Sequence, residues 1–200
     1  MTAYTSTITY FGKPGKQNTQ KTLELAKAKA EELEIRTALI ASTTGYTAKL
    51  AADVLTGMNI TIVTHAAGYI EPDSQEFDPT ARAYVESKGA KVLTAQHTFA
   101  GVNRAIRKTL GGYQSDEIIA HVLRIFGQGM KVVCEIAMMA ADAGYASTKE
   151  ATIVVAGTHR GADLGVILVP ANSSRFFEIK MLDIFCMPSH HHPQFALKRN

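Results

Sequence analysis

The chain has 200 residues, 46% of them hydrophobic and 20% charged, with a formal charge of +3 from 21 basic and 18 acidic side chains. That is enough apolar material for one large domain with its own core, so no disulfide or metal staple is required. The charges are mixed along the sequence, which argues against a nucleic-acid partner. Residues 1–10 lack the basic start and apolar run of a signal peptide, and no apolar stretch reaches membrane-spanning length. A cytoplasmic protein without a membrane partner is expected.

Residues 5–11 read as a strand and 12–17 as a loop, with Asn18 the expected N-cap of a helix on which Leu23, Ala26, Ala30 and Leu33 recur at helical spacing. Strands follow at 37–42 and 59–65, separated by the turn Thr43-Thr44-Gly45 and a helix over 47–55. A stretch without periodicity, 66–77, is a candidate lid. Beyond it the pattern predicts a helix over 78–88, a strand over 91–96 and a helical segment over 99–110 ended by Gly111-Gly112. Ser115 is the expected cap of a helix carrying Ile118, Ile119, Val122, Leu123 and Phe126. Residues 130–143 are apolar nearly all round, as in a helix covered on most sides, and Gly144 is its natural stop. The last strands are expected at 151–156, 164–169 and 181–187.

Continuous apolar runs such as Thr152-Ile153-Val154-Val155-Ala156 fit strands buried on both faces, as in parallel sheets. The expectation is a single three-layer α/β domain over 1–200, a mainly parallel sheet with helices on both faces. Phe176-Phe177 and the strand at 181–187 suggest an edge or interface of a homo-oligomer, or else the closing of the core. Cys134 and Cys186 stand in neither metal-ligand nor redox spacing and are read as buried thiols.

In an open parallel sheet, ligands bind beyond the carboxyl ends of the strands. The most informative of these ends is Ser42-Thr43-Thr44-Gly45-Tyr46-Thr47, which joins an apolar strand to a helix through hydroxyl side chains and one glycine. Free backbone N–H groups and the positive helix end favour a phosphate there, with Gly45 permitting close approach. The alternative is that the hydroxyls merely cap the helix. Gly157-Thr158-His159-Arg160-Gly161-Ala162-Asp163 leaves a buried strand with a cation and a carboxylate in one tight segment, and pairing of Arg160 with Asp163 is weighed against ligand contact. Thr64, His65 and His97 lie at two further strand ends, and Gly129 and Lys131 at the start of the apolar helix. Lys13 and Lys16 fall in a glycine-containing loop that lacks the spacing of a nucleotide P-loop, and read as solvated charges. No metal is expected, since His190-His191-His192 in a terminal tail do not make a closed ligand set.

At Asn18-Thr19, at residues 41–48, at 129–144 and at 157–163 the chain resembles the stand-alone relatives of the pyruvate kinase C-terminal domain. The resemblance implies that fold over nearly the whole chain, and a flavin mononucleotide whose phosphate lies on the Ser42 to Thr47 turn. Candidate contacts beyond the turn are Asn18, Thr19, Gly129, Lys131, Gly157, Thr158, Arg160, Gly161 and Asp163 in the resembling segments, and the strand-end residues Thr64, His65 and His97, the two histidines weighed against a purely structural role. The barrel that transfers phosphate in pyruvate kinases needs about 200 or more residues of its own, so that activity is not expected of these residues. Two functions stay open: a flavin mononucleotide protein, as an oxidoreductase, and a non-catalytic sensor of a sugar phosphate or another phosphometabolite.

Overall fold

A computed structural model of the protein describes residue 3 and residues 5–189. In chain order its elements are β1 (Thr9–Phe11), α1 (Thr19–Glu32), β2 (Thr37–Ala41), α2 (Tyr46–Val54), β3 (Asn59–Val63), α3 (Pro79–Ser87) and β4 (Lys91–Leu93). Then come α4 (Val102–Leu110), α5 (Ser115–Leu123), α6 (Gln128–Asp142), β5 (Thr152–Ala156), β6 (Leu164–Val169) and β7 (Lys180–Pro188). The strands form one seven-stranded sheet in the order β1-β7-β6-β5-β2-β3-β4. Neighbours run parallel except at β6, which is antiparallel to both β5 and β7. Only residues 157–163 join β5 to β6, too few for the crossover of a dozen or more residues that a parallel return needs. The sheet is therefore mainly parallel, with one inverted strand.

The period of two along the strands divides the core. Ile153 and Val155 of β5 and Ala38 and Ile40 of β2 pack with Leu23 and Ala26 of α1 and Ala48 and Ala51 of α2. Val154, Ala156 and Leu39 face the opposite way, onto Val133, Ile136 and Ala140 of α6. Helices thus cover both faces, and each large apolar side chain withdrawn from water contributes about 1.5–3 kcal/mol. On α6, Met130, Val133, Ile136, Ala137, Met138 and Ala140 are all buried, and Gly144, at φ 70°, follows its end. Cys134 and Cys186 are buried free thiols, pushed up by burial to about 11 and about 12.

Several local expectations are corrected. β1 is only three residues long and pairs with the last residues of β7. Asn18 does not cap α1 through its side chain; its Nδ2 donates to the Lys13 carbonyl at 2.8 Å and closes the loop instead. Leu33 falls just past the end of α1 and is 41% exposed. Gln114, not Ser115, is the N-cap of α5, in a reciprocal capping box with Glu117. Strand β7 pairs with β6 along Lys180 to Cys186 and with β1 only over Cys186 to Pro188, so its outer side is covered by a strand only at its end. Phe176 closes the core edge-on against Phe99, whereas Phe177 is 90% exposed.

The stretch 66–77 is an ordered loop. Gly68 N–H donates to the Ser74 carbonyl at 2.8 Å, and Phe77 is buried in the core beside α2 and α3. By contrast α4 buries none of its residues. Val102, Leu110, Ile118, Val122, Ile125 and Phe126, on α4, α5 and the turn after them, are all exposed. Among the described residues no helix is long and apolar enough to cross a membrane. His190, His191 and His192 lie outside the described residues.

Candidate functional site

Beyond the carboxyl ends of β2, β3, β4 and β5 lies a cavity of about 700 Å³. It is bordered by the turn after β2, the ends of β3 and β4, helices α4, α5 and α6, and the β5–β6 hairpin.

The turn after β2 offers donors. Gly45 holds the N-cap position of α2 and has no side chain to cap it; Ser42 Oγ, from three residues earlier, accepts from Ala48 N–H at 3.2 Å in the first turn. The Ser42 N–H donates to Val63 O. The next five N–H groups, from Thr43 through Thr47, have no partner among the described residues. The Thr47 side chain is 4% exposed, lines the cavity, and its hydroxyl is likewise without a partner there. Successive unpaired N–H groups at the positive end of a helix form an anion cradle. Gly45, at φ 101°, is the left-handed hinge of the turn. A Cβ on it would overlap the Cβ of Ala81, so the turn lies against α3 only with glycine at this position.

Beside the cradle, His65 at the end of β3 donates from Nδ1 to Glu76 Oε2 at 2.6 Å and turns Nε2 to Thr43 Oγ1 at 3.3 Å. Tyr69 lies against both His65 and His97, with ring centroids 4.2 and 5.1 Å away. His97 accepts from Ala66 N–H at Nε2 and faces Glu135 Oε2 with Nδ1 at 3.5 Å. Glu135, on α6, also pairs with Lys131 one turn earlier and accepts from Phe99 N–H at 3.2 Å. Burial alone would raise the Glu135 carboxyl, but the hydrogen bond from His97 and the charge of Lys131 outweigh it and hold it at about 2.

Six Lys or Arg side chains and three Glu line the cavity, a formal excess of three positive charges. That equals the net charge of the whole chain, so the excess is concentrated where a ligand would sit. Arg107 is neutralised by Glu117 at 2.5 Å, and Lys131 by Glu135. Lys16 lies over the Tyr46 ring at 3.8 Å, Arg104 over Tyr69 at 4.8 Å, and Arg124 donates to Gln128. None of these three, nor Arg160, has a carboxylate partner among the described residues. Lys16 is therefore a cavity residue and not only a solvated loop charge.

Of the residues singled out in the sequence, Ser42, Thr43, Thr44, Tyr46, Thr47, Thr64, His65, His97, Lys131, Gly157, Arg160 and Gly161 line the cavity. The remaining six stand behind it. Gly45 abuts Ala81, and Gly129 fits against Leu164 of β6, where a Cβ would collide. Asn18 closes its own loop. Thr19 Oγ1 donates to Lys16 O at 2.7 Å and accepts from Ala162 N–H at 3.0 Å, tying the β1 loop to the hairpin. Asp163 is fully buried and accepts from Gly15 N–H at 2.7 Å and from Thr158 N–H and Oγ1–H. Burial pushes its carboxyl up, an effect offset in part by those bonds. The weighed pairing with Arg160 is absent, because Asp163 is occupied by its own backbone donors.

Sequence reasoning did not single out Tyr69, Glu76, Arg104, Arg124 or Glu135. Glu135 was within reach, since Lys131 and Glu135 are the charged pair, four residues apart, in an otherwise apolar helix. Tyr69 and Glu76 come from a segment with no periodicity to read.

The fold and site define an α/β domain with a polar cavity and a row of unpaired N–H groups at the carboxyl edge of its sheet. Over residues 20–168 the sequence matches the family described as pyruvate kinase, alpha/beta domain, and the chain belongs to that family. Among solved structures it is similar to a pyruvate kinase from Cryptosporidium parvum, at 16% identity and a TM-score of 0.41. The match covers 76% of this chain and 23% of that one, so this chain corresponds to a minor part of that protein's length.

Proposed function

We propose that this protein binds a small phosphorylated ligand, its phosphate on residues 43–47, and that the ligand is flavin mononucleotide. The observation that carries the phosphate reading is the run of five unpaired N–H groups together with the unpartnered hydroxyl of the buried Thr47. A cavity of about 700 Å³ is within the range of roughly 300–1,000 Å³ that holds small ligands and cofactors. The chemistry of the lining suits both halves of a flavin nucleotide. Thr43, Thr44 and Thr47 would hold the phosphate, while Phe99, Tyr69 and the apolar Val132, Ile136 and Met139 supply flat and greasy walls for a ring. Bound flavin would supply hydride and electron transfer. The residues of this chain would orient it and shield it from water, with Arg104, which has no carboxylate partner among the described residues, adding positive charge near the ring.

A second reading, a non-catalytic sensor of a sugar phosphate or another phosphometabolite, is favoured by the polar lining, with its excess of cations and four histidines. Freshly purified protein that is yellow, with flavin released on denaturation, supports the first reading; a colourless protein that releases a sugar phosphate supports the second.

The phosphate assignment is tested by Thr44→Ala and Thr47→Ala, made singly. Hydrogen bonds to a charged group contribute about 1.5–3 kcal/mol, or roughly tenfold and more in affinity. Each variant should bind flavin mononucleotide at least that much more weakly and riboflavin almost unchanged. Equal losses for both ligands, or none, would remove the cradle from the phosphate site. The reading also includes a homo-oligomer, built on the exposed apolar side chains of α4 and α5.

A further inference from the structure

Four histidines line the cavity: His65, His97, His121 and His159. His97 has both ring nitrogens engaged, Nε2 with Ala66 N–H and Nδ1 towards Glu135. His121 stands edge-on to the exposed Tyr113, at 5.3 Å. His159 sits at φ 61° in the hairpin, with no hydrogen bond from its ring among the described residues. His65 alone joins a carboxylate on one side to the anion cradle on the other. Its carbonyl is fixed as well, accepting from Thr64 Oγ1–H at 2.9 Å and Gln75 Nε2–H at 3.0 Å.

An ionised carboxylate only accepts hydrogen bonds, so Nδ1 keeps its proton against Glu76 and Nε2 is the ring atom whose state can change. With the ring neutral, Nε2 accepts from the Thr43 hydroxyl. With the ring charged, Nε2–H is a donor beside five other donors, an arrangement that wants an acceptor rich in oxygen and charge. A phosphate monoester offers three terminal oxygens and nearly two negative charges at neutral pH. A diester offers two free oxygens and one charge. The Thr43 hydroxyl is a free rotor and can turn from the ring to the anion.

We propose that His65, protonated at Nε2, is a direct ligand of the bound phosphate, so that the site takes a phosphate monoester dianion in preference to a diester and binds it with a linked proton. The proposal rests on the phosphate reading of residues 43–47. The proton comes from solvent to Nε2, and no covalent bond changes. Other titratable or charged groups around His65 are Glu76 and Tyr69 from the same loop and His97 from the end of β4. Behind His97 stand Lys131 and Glu135 of α6, Arg104 of α4 lies on Tyr69, and Lys16, His159 and Arg160 complete the rim. Substituting His65 and His159 one at a time assigns the linked proton among these groups.

The test is titration of the full chain with methyl phosphate and with dimethyl phosphate at pH 7.5 and 8.5, where the monoester is already a dianion. Wild type should bind methyl phosphate at least tenfold more tightly than the diester, and lose several-fold, at most about tenfold, of that affinity over the one pH unit. His65→Gln should flatten the pH dependence and narrow the monoester preference while keeping its melting transition. His159→Gln should keep the wild-type slope. A wild-type affinity equal at the two pH values, or a slope that survives in His65→Gln, would overturn the role of His65 alone. If neither ester binds wild type at either pH, the phosphate reading itself fails.

Discussion

Glu135→Gln probes the most deeply buried charge of the site. The substitution keeps the side-chain volume and an acceptor for Phe99 N–H, but takes the charge away from Lys131 and the carboxylate acceptor away from His97 Nδ1. The carboxyl is held down from 4.5 to about 2, which corresponds to about 3 kcal/mol of preference for the ionised form in the folded state. Breaking a buried pair by removing one partner costs about 3–5 kcal/mol. Lys131 lines the cavity and can be wetted once unpaired, so the expected loss lies at the lower end, about 3 kcal/mol. With a urea slope of about 2 kcal/mol/M, the midpoint should fall by about 1.5 M at pH 7.

Because the folded carboxyl lies below its unfolded value, its contribution is fully present above about pH 4.5 and fades as pH falls towards 2. That part of the acid slope should vanish in Glu135→Gln. The double variant Lys131→Met with Glu135→Leu leaves no uncompensated charge and should be more stable than Glu135→Gln. A single variant within about 0.5 kcal/mol of wild type, or a double variant as damaged as the single, would refute the account of the cluster as a mutually dependent unit.

Gly45→Ala should lower the melting temperature and weaken flavin mononucleotide and riboflavin binding together, because the added Cβ meets Ala81 in a left-handed turn. Ala81→Gly in the same chain should recover part of the loss, and no recovery would show that backbone strain alone is at work. Sedimentation should show a smaller species for Ile125→Asp and an unchanged one for Phe177→Asp, although Phe177 is 90% exposed; the reverse result would move the self-association surface from the α4–α5 arm to the segment before β7.

The three layers were legible because the apolar runs of β2, β3 and β5 and the stripe of α1 are long enough for their periods to show. Strand direction was not, since period-two patterning is the same in either direction. The signal for the inversion of β6 was the length of the link at 157–163, and reading it as a hairpin would have given the topology. The local structure of the turn at 42–47 was legible as a strand, a hydroxyl-rich turn and a helix. The division of labour within it was not: Ser42 Oγ accepts from Ala48 N–H, Gly45 packs against α3, and Thr43 faces His65. Those roles depend on α3 and on the loop at 66–77, which approach the turn only in the folded chain.

Asp163 and Arg160 show how satisfying one charge releases another. A carboxylate with no exposure must find donors or pull its own value upward, and Asp163 finds them in Gly15 N–H, Thr158 N–H and the Thr158 hydroxyl. Thr19, also fully buried, adds bonds from the other side, to Lys16 O and from Ala162 N–H. Gly161 lies so near Lys16 and Thr19 that any side chain would displace the loop. The β1 loop and the β5–β6 hairpin are thereby one rigid corner, whose two cations, Lys16 and Arg160, reach the cavity without a carboxylate partner among the described residues. Had Asp163 paired with Arg160, as its spacing invited, the cavity would carry one less free positive charge. The acid that resembles a ligand in the sequence therefore serves the cavity from behind, by leaving the base at its lining without a carboxylate partner among the described residues.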